Sequence, residues 1–212
     1  MRRPAFPLFS MTAPLTPPVD ILRPLRAASG ALHHALDTQL PISRDDASLD
    51  DYLAHLRSLR PWLQEIRLAL AAPRVDALDR IAARVAERLR ALDLDLCDER
   101  KAAEPVPPAF LEDASRSAAF AWGLAYVVEG SQLGGAMMRR RLGERFAPHP
   151  MRYFSAAGPD GVAVQWREFV RQLGEALHDP ATVADAQRGA VAAFERLIAR
   201  CGLAAPTPAI AA

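Results

Sequence analysis

Residues 117–142 read SAAFAWGLAYVVEGSQLGGAMMRRRL, an apolar segment that contains no proline. From Ala118 to Met138 it is apolar except for Glu129, Ser131 and Gln132. A run of this length is typical of a buried helix, because strands are shorter. The segment therefore predicts a long central helix.

This predicted helix contains four glycines, Gly123, Gly130, Gly134 and Gly135. Each glycine inside a helix costs about 1 kcal/mol relative to alanine, so four of them indicate a specific requirement. At about 100° per residue, Gly123, Gly130 and Gly134 share one face. This face of bare backbone predicts a groove that another group approaches closely.

The residues leave three interpretations of this helix open. The run is long enough to span a membrane, and two glycines four residues apart are a membrane dimer pattern, but Glu129 lies at mid-span. A core helix whose small residues admit a neighbouring helix is equally compatible. The third interpretation is a wall against which a planar cofactor lies.

Composition limits the classes of protein that need to be considered. The 212 residues are half apolar and fit one domain, and a net charge of +1 gives no indication of nucleic acid or an anionic membrane as a partner. The two cysteines form no motif and are compatible with the cytoplasm, where we expect the protein. We predict a flexible Pro-rich arm (1–20), one domain (21–200) and a frayed tail (201–212).

Helical periodicity recurs along the chain, and no segment has a convincing strand pattern. Helices are predicted at about 21–39, after a capping box at Ser48, at 76–92, at 162–177 and from Pro180 onward. Pro61 should kink or split the second of these. The segments between them, 93–110 and 147–161, read as a connector and a turn-rich loop. The fold class is therefore an all-α, single-domain helical bundle.

The first helix carries the candidate chemistry. His33 follows Arg26 by seven residues, so the two share a face about 10.5 Å apart along the axis, whereas His34 points about 100° away. A histidine beside an apolar stripe is more often a hydrogen-bonded or half-exposed side chain than a metal ligand. Hydrolase motifs are absent, and the Glu-x-x-His at residues 175–178 lacks the second copy that a di-iron site needs.

A haem fits the features that remain. Iron takes one imidazole nitrogen, an arginine pairs with a propionate, and glycine backbone leaves room for a flat ring.

Two segments resemble haem oxygenases. Residues 25–33 (LRAASGALH) resemble the proximal helix, in which a small or hydroxyl residue stands four before the ligand histidine. Residues 126–135 (YVVEGSQLGG) resemble the distal helix, most closely in the bacterial branch that supplies biliverdin to bacteriophytochromes. The spacing of Trp166, Phe169 and residues 179–194 is also similar, so the resemblance covers about residues 22–200.

The resemblance implies that haem (heme b) lies between a proximal N-terminal helix and a Gly-rich distal helix. It implies His33 as the iron ligand, and cleavage of haem by O2 and electrons to biliverdin, CO and ferrous iron. The implied external electron donor is a reduced ferredoxin- or flavodoxin-type protein, and the implied recipient of the bilin is a bacteriophytochrome. No nucleic-acid or membrane partner is expected.

The resemblance also implies roles for residues of the distal helix. Gly130 and Gly134 would let the helix lie close over the ring, and Tyr126 would stand beside the haem. Ser131 occupies the position at which vertebrate members have an aspartate that orders water. Gly130, Ser131 and Gly134 are therefore the expected catalytic residues.

Further haem contacts are expected outside this helix. Arg26 matches a propionate-binding basic residue of the family, and Arg167 or Arg171 is predicted from its position to hold the other propionate. His34 adjoins His33 and is the alternative ligand. The alternatives for function are a non-catalytic haem-binding or haem-sequestering protein on this fold and a di-iron scaffold, which the incomplete carboxylate set disfavours.

Overall fold

A computed structural model describes residues 20–96, 109–155, 161–204 and 206 of the chain. These residues form eight α-helices and one short 3₁₀ helix, and no strand occurs among them. In chain order the helices are α1 (Leu22–Gln39), the 3₁₀ helix (Pro41–Ser43), α2 (Leu49–Ala71), α3 (Asp76–Asp95), α4 (Leu111–Arg116), α5 (Ala118–Leu142), α6 (Arg152–Ser155), α7 (Gly161–Ala176) and α8 (Pro180–Arg200). The predicted all-α fold is confirmed.

Several predicted segments lie outside the described residues. They are the arm at 1–20 except Asp20, residues 97–108 of the connector with Cys97, and most of the tail at 201–212. The division into arm, domain and tail therefore stays a prediction.

Local capping signals begin two of the long helices. Ser48 Oγ accepts the backbone N–H of Asp51 at 3.1 Å, and the Asp51 carboxylate accepts the N–H of Ser48 at 2.9 Å. At the start of α8, Asp179 accepts the N–H of Thr182 at 2.8 Å. Each pair satisfies N–H groups that have no partner within the helix.

Two predicted breaks in the chain differ from the structure. The helix α2 runs without interruption through Pro61, and the side chains that follow it, Trp62 and Leu63, are fully buried, so packing in the core keeps both halves in one helix. Of the predicted kink or split at Pro61, the split is therefore wrong, and the kink stays a prediction. The loop predicted at 147–161 contains the one-turn helix α6, which forms where Tyr153 is buried.

The last helix, α8, contacts three of the other long helices, α1, α2 and α5. Both α5 and α1 pack mainly against α8, and α2 also contacts it. Trp62 of α2 donates its indole N–H to the carbonyl oxygen of Ala193 at 2.9 Å. The buried carboxylate of Glu65 accepts from Arg196 at 2.8 Å and also pairs with Arg200. Since α1 and α5 share α8 as a platform, they are held on the same part of the bundle.

The helices α5 and α8 approach each other closely enough for their backbones to touch. A Cβ atom on Gly123 would overlap the carbonyl oxygen of Ala186 and would lie 2.8 Å from the backbone nitrogen of Ala190. A Cβ atom on Gly189 would overlap the carbonyl oxygen of Phe120. Glycine is required at both positions because backbone meets backbone. The predicted groove therefore does not include Gly123, which packs against protein.

None of the helices in the described ranges has both the length and the apolar character that a membrane crossing requires.

We expect Gly123→Ala to lower the free energy of unfolding by about 1–3 kcal/mol, because the added methyl group forces α5 and α8 apart. Urea denaturation measures this change. Gly174→Ala is the control, since open space surrounds that position inside α7 and alanine should raise the stability there. If Gly123→Ala were as well tolerated as Gly174→Ala, the close packing described above would be wrong.

Candidate functional site

The helices α1 and α5 are linked at two levels. At the first level, Tyr126 of α5 lies beside Ser29 of α1, close enough for the serine to act on its pKa. At the second, Arg141 of α5 donates to the carbonyl oxygens of Ile42 at 2.7 Å and Ser43 at 3.0 Å, just after α1. The two helices therefore run in the same direction. We call the part between these links, residues 29–43 and 126–141, the α1–α5 region.

His33 lies in the α1–α5 region with its side chain 61% exposed, and its Nδ1 atom is 2.8 Å from Oδ2 of Asp37, one turn later. Its ring meets that of Phe194 of α8 edge-on, with 5.7 Å between centroids. These two contacts orient the imidazole. When Nδ1 donates its proton to the carboxylate, Nε2 carries the free lone pair that a metal requires.

His34, the alternative ligand, is placed differently. It is exposed and follows His33 directly in α1, so its side chain leaves the helix about 100° away from that of His33. Within the described part of the chain, it has neither the carboxylate contact nor the aromatic contact that His33 makes. Its imidazole is therefore the less well oriented of the two.

The glycines of α5 divide into filled and open positions. A Cβ atom on Gly135 would lie 3.0 Å from the ring of Phe154, so α6 occupies that side. A Cβ atom on Gly130 would make ordinary contact with the Trp166 ring at 3.6 Å, whereas nothing lies within 4 Å of one on Gly134. The open side of α5 thus begins at Gly130 and includes Gly134.

Apolar side chains are left uncovered beside these glycines. Leu133 is 40% exposed and Met137 is 64% exposed, both in the α1–α5 region of α5. On α1, Gly30 likewise has nothing within 4 Å of a Cβ position. A helix-interior glycine in open space costs stability and brings no packing in return. Both helices therefore present surface that suits an additional apolar group.

An aromatic cluster lies at the Tyr126 end of the region. Tyr126 and Trp166 have ring centroids 6.1 Å apart, and Trp166 stacks on Phe169 at 5.4 Å. Burial raises the pKa of Tyr126, against the smaller opposing effects of Ser29 and the nearby Arg26 guanidinium. Tyr126 is thus fixed between α1 and α7 and stays a neutral phenol.

The three candidate arginines are placed unequally. Arg26 is exposed on α1, 3.9 Å from Asp20 and close enough to Tyr126 to act on its pKa. Arg167 is exposed on α7, next to Trp166. Arg171 pairs with glutamates of its own helix, at 2.6 Å with one and more closely with the other. Arg26 is therefore the candidate that the fold brings close to Tyr126, at the end of the α1–α5 region, with Asp20 as its carboxylate neighbour.

The Glu-x-x-His motif forms no metal site. Glu175 pairs with Arg171, and His178 lies 3.4 Å from Asp179. Among the residues that the structure describes, no three His, Cys, Asp or Glu side chains are grouped as a metal site would need.

Glu129 anchors the distal helix and points away from solvent. It is 3% exposed and pairs with Arg88 at 3.0 Å and Arg84 at 3.2 Å, both on α3. The sequence identified Glu129 only as an exception in an apolar run, because its partners lie more than 40 residues earlier. This ion pair fixes α5 at the residue that precedes Gly130.

We expect Glu129→Gln to lower the free energy of unfolding by about 3 kcal/mol, because it leaves the buried Arg88 without its counter-charge. Urea denaturation tests this. Glu87→Gln is the control, since the Glu87–Arg90 pair is exposed and such pairs add little stability. Equal losses of unfolding free energy in the two variants would show that the buried pair stabilises the protein no more than the exposed one.

Comparison with known proteins gives results from sequence and from structure. No protein-family model matches the chain. A haem oxygenase from Xanthomonas campestris pv. campestris (strain 8004) is 41% identical over 99 residues, 46% of this chain and 58% of that protein. The chain therefore spans less than two thirds of this relative's length. The NO- and CO-bound haem oxygenase from Neisseria meningitidis is similar in structure, with a TM-score of 0.65 and 24% identity over 89% of this chain and 97% of that one. The structural likeness shows that this chain has the fold of that haem oxygenase, and the sequence likeness to a haem oxygenase extends over 46% of the chain.

Proposed function

We propose that the protein is a haem oxygenase that binds haem in the α1–α5 region and cleaves it with O2 and electrons to biliverdin, CO and ferrous iron. The observation that carries this proposal is the oriented imidazole of His33, with Nδ1 on Asp37 and Nε2 available. The relative from Xanthomonas campestris supports it by its name and sequence, and the Neisseria structure supports the fold.

The residues present fit a haem. An axial ligand needs an imidazole whose second nitrogen is held by a hydrogen bond, and Nδ1 of His33 lies 2.8 Å from Oδ2 of Asp37. A flat apolar ring needs open, small or apolar surface, which Gly134, Leu133 and Met137 provide. A propionate needs a guanidinium, which Arg26 offers.

Each residue would then have a defined task. His33 would hold the iron through Nε2, and Asp37 would keep its ring in that orientation. Gly130 and Gly134 would leave the ring room beside α5. Bound haem supplies the iron at which O2 is activated. The protein's own contribution is to bind the haem, to orient it and to exclude other groups from contact with it.

The arginines would hold the propionates. Arg26 is the first candidate and Arg167 the second. Arg171 would have to leave its two glutamate partners, which makes it the least suited of the three.

The distal wall lacks a strong hydrogen-bond donor. Residues 127–137 contain no His, Lys or Arg. The hydroxyl of Ser131 donates into its own helix, to the carbonyl oxygen of Val128 at 2.8 Å. With no cationic donor, this wall would not promote the O–O cleavage typical of peroxidases, and bound haem would supply its own edge as the site of oxidation.

The finer parts of the proposal rest on the motif at residues 126–135. Its similarity to the bacteriophytochrome-associated branch supports biliverdin as the product and a bacteriophytochrome as its recipient. A reduced ferredoxin- or flavodoxin-type protein is the electron donor proposed on the same basis, in the cytoplasm.

Haemin titration of the wild type, His33→Ala and His34→Ala tests the proposal. We expect the wild type and His34→Ala to give the same Soret band. We expect His33→Ala to shift that band and to weaken binding at least tenfold, because the iron loses its axial ligand. With ascorbate or reduced ferredoxin in air, the wild type and His34→Ala should lose the Soret band and gain the red absorption of biliverdin, whereas His33→Ala should not.

Other outcomes would overturn parts of the proposal. If His34→Ala and not His33→Ala loses the band, the ligand is His34. Haem that binds but survives reductant and O2 would indicate a haem carrier. If haem does not bind at all, the α1–α5 region has another purpose.

We expect Gly134→Ala to stabilise the haem-free protein by about 1 kcal/mol, because alanine is the better helix former and open space surrounds this position. The same methyl group should weaken haem binding about tenfold, since it occupies space that the ring would use. Urea denaturation and haemin titration measure the two effects. Gly174→Ala on α7 should show the first effect without the second, and equal haem affinity in both variants would remove Gly134 from the haem site.

A further inference from the structure

The helices α1 and α5 share a platform but are not packed along each other. Within the described parts of the chain, each packs extensively against α8, whereas α1 and α5 make few contacts with one another. The open glycines, Gly30 of α1 and Gly134 of α5, lie between the two levels at which these helices are linked. The distance between α1 and α5 in this part of the molecule is therefore set by α8 and by the two links.

The second link is a pair of hydrogen bonds from one guanidinium. Arg141 of α5 donates through Nη1 to the carbonyl oxygen of Ser43 at 3.0 Å and through Nη2 to that of Ile42 at 2.7 Å. We call these two bonds the Arg141 clamp. Because the guanidinium is a rigid planar fork, two bonds from its two nitrogens fix both the distance and the orientation of the segment that accepts them.

The Arg141 clamp joins two elements that are each anchored in the core. Ile42, in the 3₁₀ helix that follows α1, is 2% exposed. On α5, Leu142 is 1% exposed, and Nη2 of Arg141 lies 3.3 Å from Sδ of Met138, one turn earlier. The clamp therefore does not end on a loose loop, and the reach of one arginine side chain sets how far apart the two elements stand.

The last turn of α1 is also held from the side of α8. The amide of Gln39 exchanges two hydrogen bonds with the backbone of Ala204, both at 3.2 Å, just after α8. The end of α1 thus has fixed contacts towards α8 and, through the Arg141 clamp, towards α5. His33 lies less than two turns before Gln39, so its position relative to α5 depends on these contacts.

We propose that Arg141 is a positioning residue for haem, which sets the distance between α1 and α5 through Ile42 and Ser43 without touching the haem itself. This inference rests on the proposed function. The distance that the clamp sets is the one at which His33 reaches the iron while α5 stays beside the ring. A protein that holds this distance before haem arrives spends less free energy on ordering when haem binds.

Haemin titration of Arg141→Gln and Arg141→Lys tests the inference. We expect Arg141→Gln to raise the Kd for haemin about tenfold, because both bonds of the clamp are lost and α1 must be ordered on binding. Arg141→Lys should raise the Kd by a similar factor, since an ammonium group keeps the charge but lacks the planar fork. Arg141 is exposed, so both variants should fold, and urea denaturation of the haem-free proteins checks this.

Arg140→Gln is the matched control. It removes the same charge from the neighbouring position, where Arg140 is exposed and its Nε donates to the carbonyl oxygen of Ala136 in its own helix at 3.5 Å. Its Kd for haemin should stay within about twofold of the wild type, because an exposed contact inside one helix does not position another helix.

The bond between iron and His33 gives a second measurement, which a purely stabilising role of Arg141 would not change. In the ferrous complexes, the iron–Nε2 stretching band in resonance Raman spectra should shift or broaden in both Arg141 variants and stay unchanged in Arg140→Gln. In a His33→Ala background, Arg141→Gln should raise the Kd less than about threefold, because residues that act through one another are not additive.

Three results would overturn the inference. Haem affinity equal to the wild type in Arg141→Lys, or a loss of affinity in Arg140→Gln as large as in Arg141→Gln, would show that charge acts and not the clamp. A lower free energy of unfolding in Arg141→Gln with unchanged Kd and stretching band would show that the clamp only stabilises the fold. In all three cases the wild type still binds haem and the proposed function stands, whereas a wild type that fails to bind haem would overturn both.

Discussion

The backbone contact between α5 and α8 is the constraint on which the arrangement of the site depends. At Gly123 and Gly189 no side chain fits between the two helices, so their crossing point is fixed to within the size of a methyl group. Since α1 packs on the same helix, α8 sets the position of α1 relative to α5. The imidazole of His33 and the open glycine Gly134 owe their common location to this shared platform.

A second constraint sets which side of α5 is presented. Glu129 must stay with Arg84 and Arg88 in the interior, because a buried carboxylate without a partner is costly. Turning α5 by one residue would move Glu129 by about 100° and break this pair. The ion pair therefore keeps Gly134 on the open side, and α6 packs on another side of the same helix, where the Phe154 ring lies beside Gly135.

The helices, their caps and the all-α class could be predicted, because periodicity and capping depend on residues within one or two turns of each other. Ser48 and Asp179 are examples, since each bonds three residues ahead. The unbroken helix at Pro61 could not be predicted, because it depends on the burial of side chains in a core that other segments complete. At the candidate site, the motif at 126–135 and the spacing of Arg26 and His33 were readable, and so was the family resemblance.

The amino-acid sequence was therefore sufficient for the helices, the fold class and the residue types from which a haem site can be built. It could not distinguish Gly123, which faces α8, from Gly134, which faces open space, because both lie on one side of an isolated helix. Nor could it pair Glu129 with Arg84 and Arg88 on α3. These assignments follow from packing between segments that are distant along the chain, and such contacts leave no periodic signal in either segment.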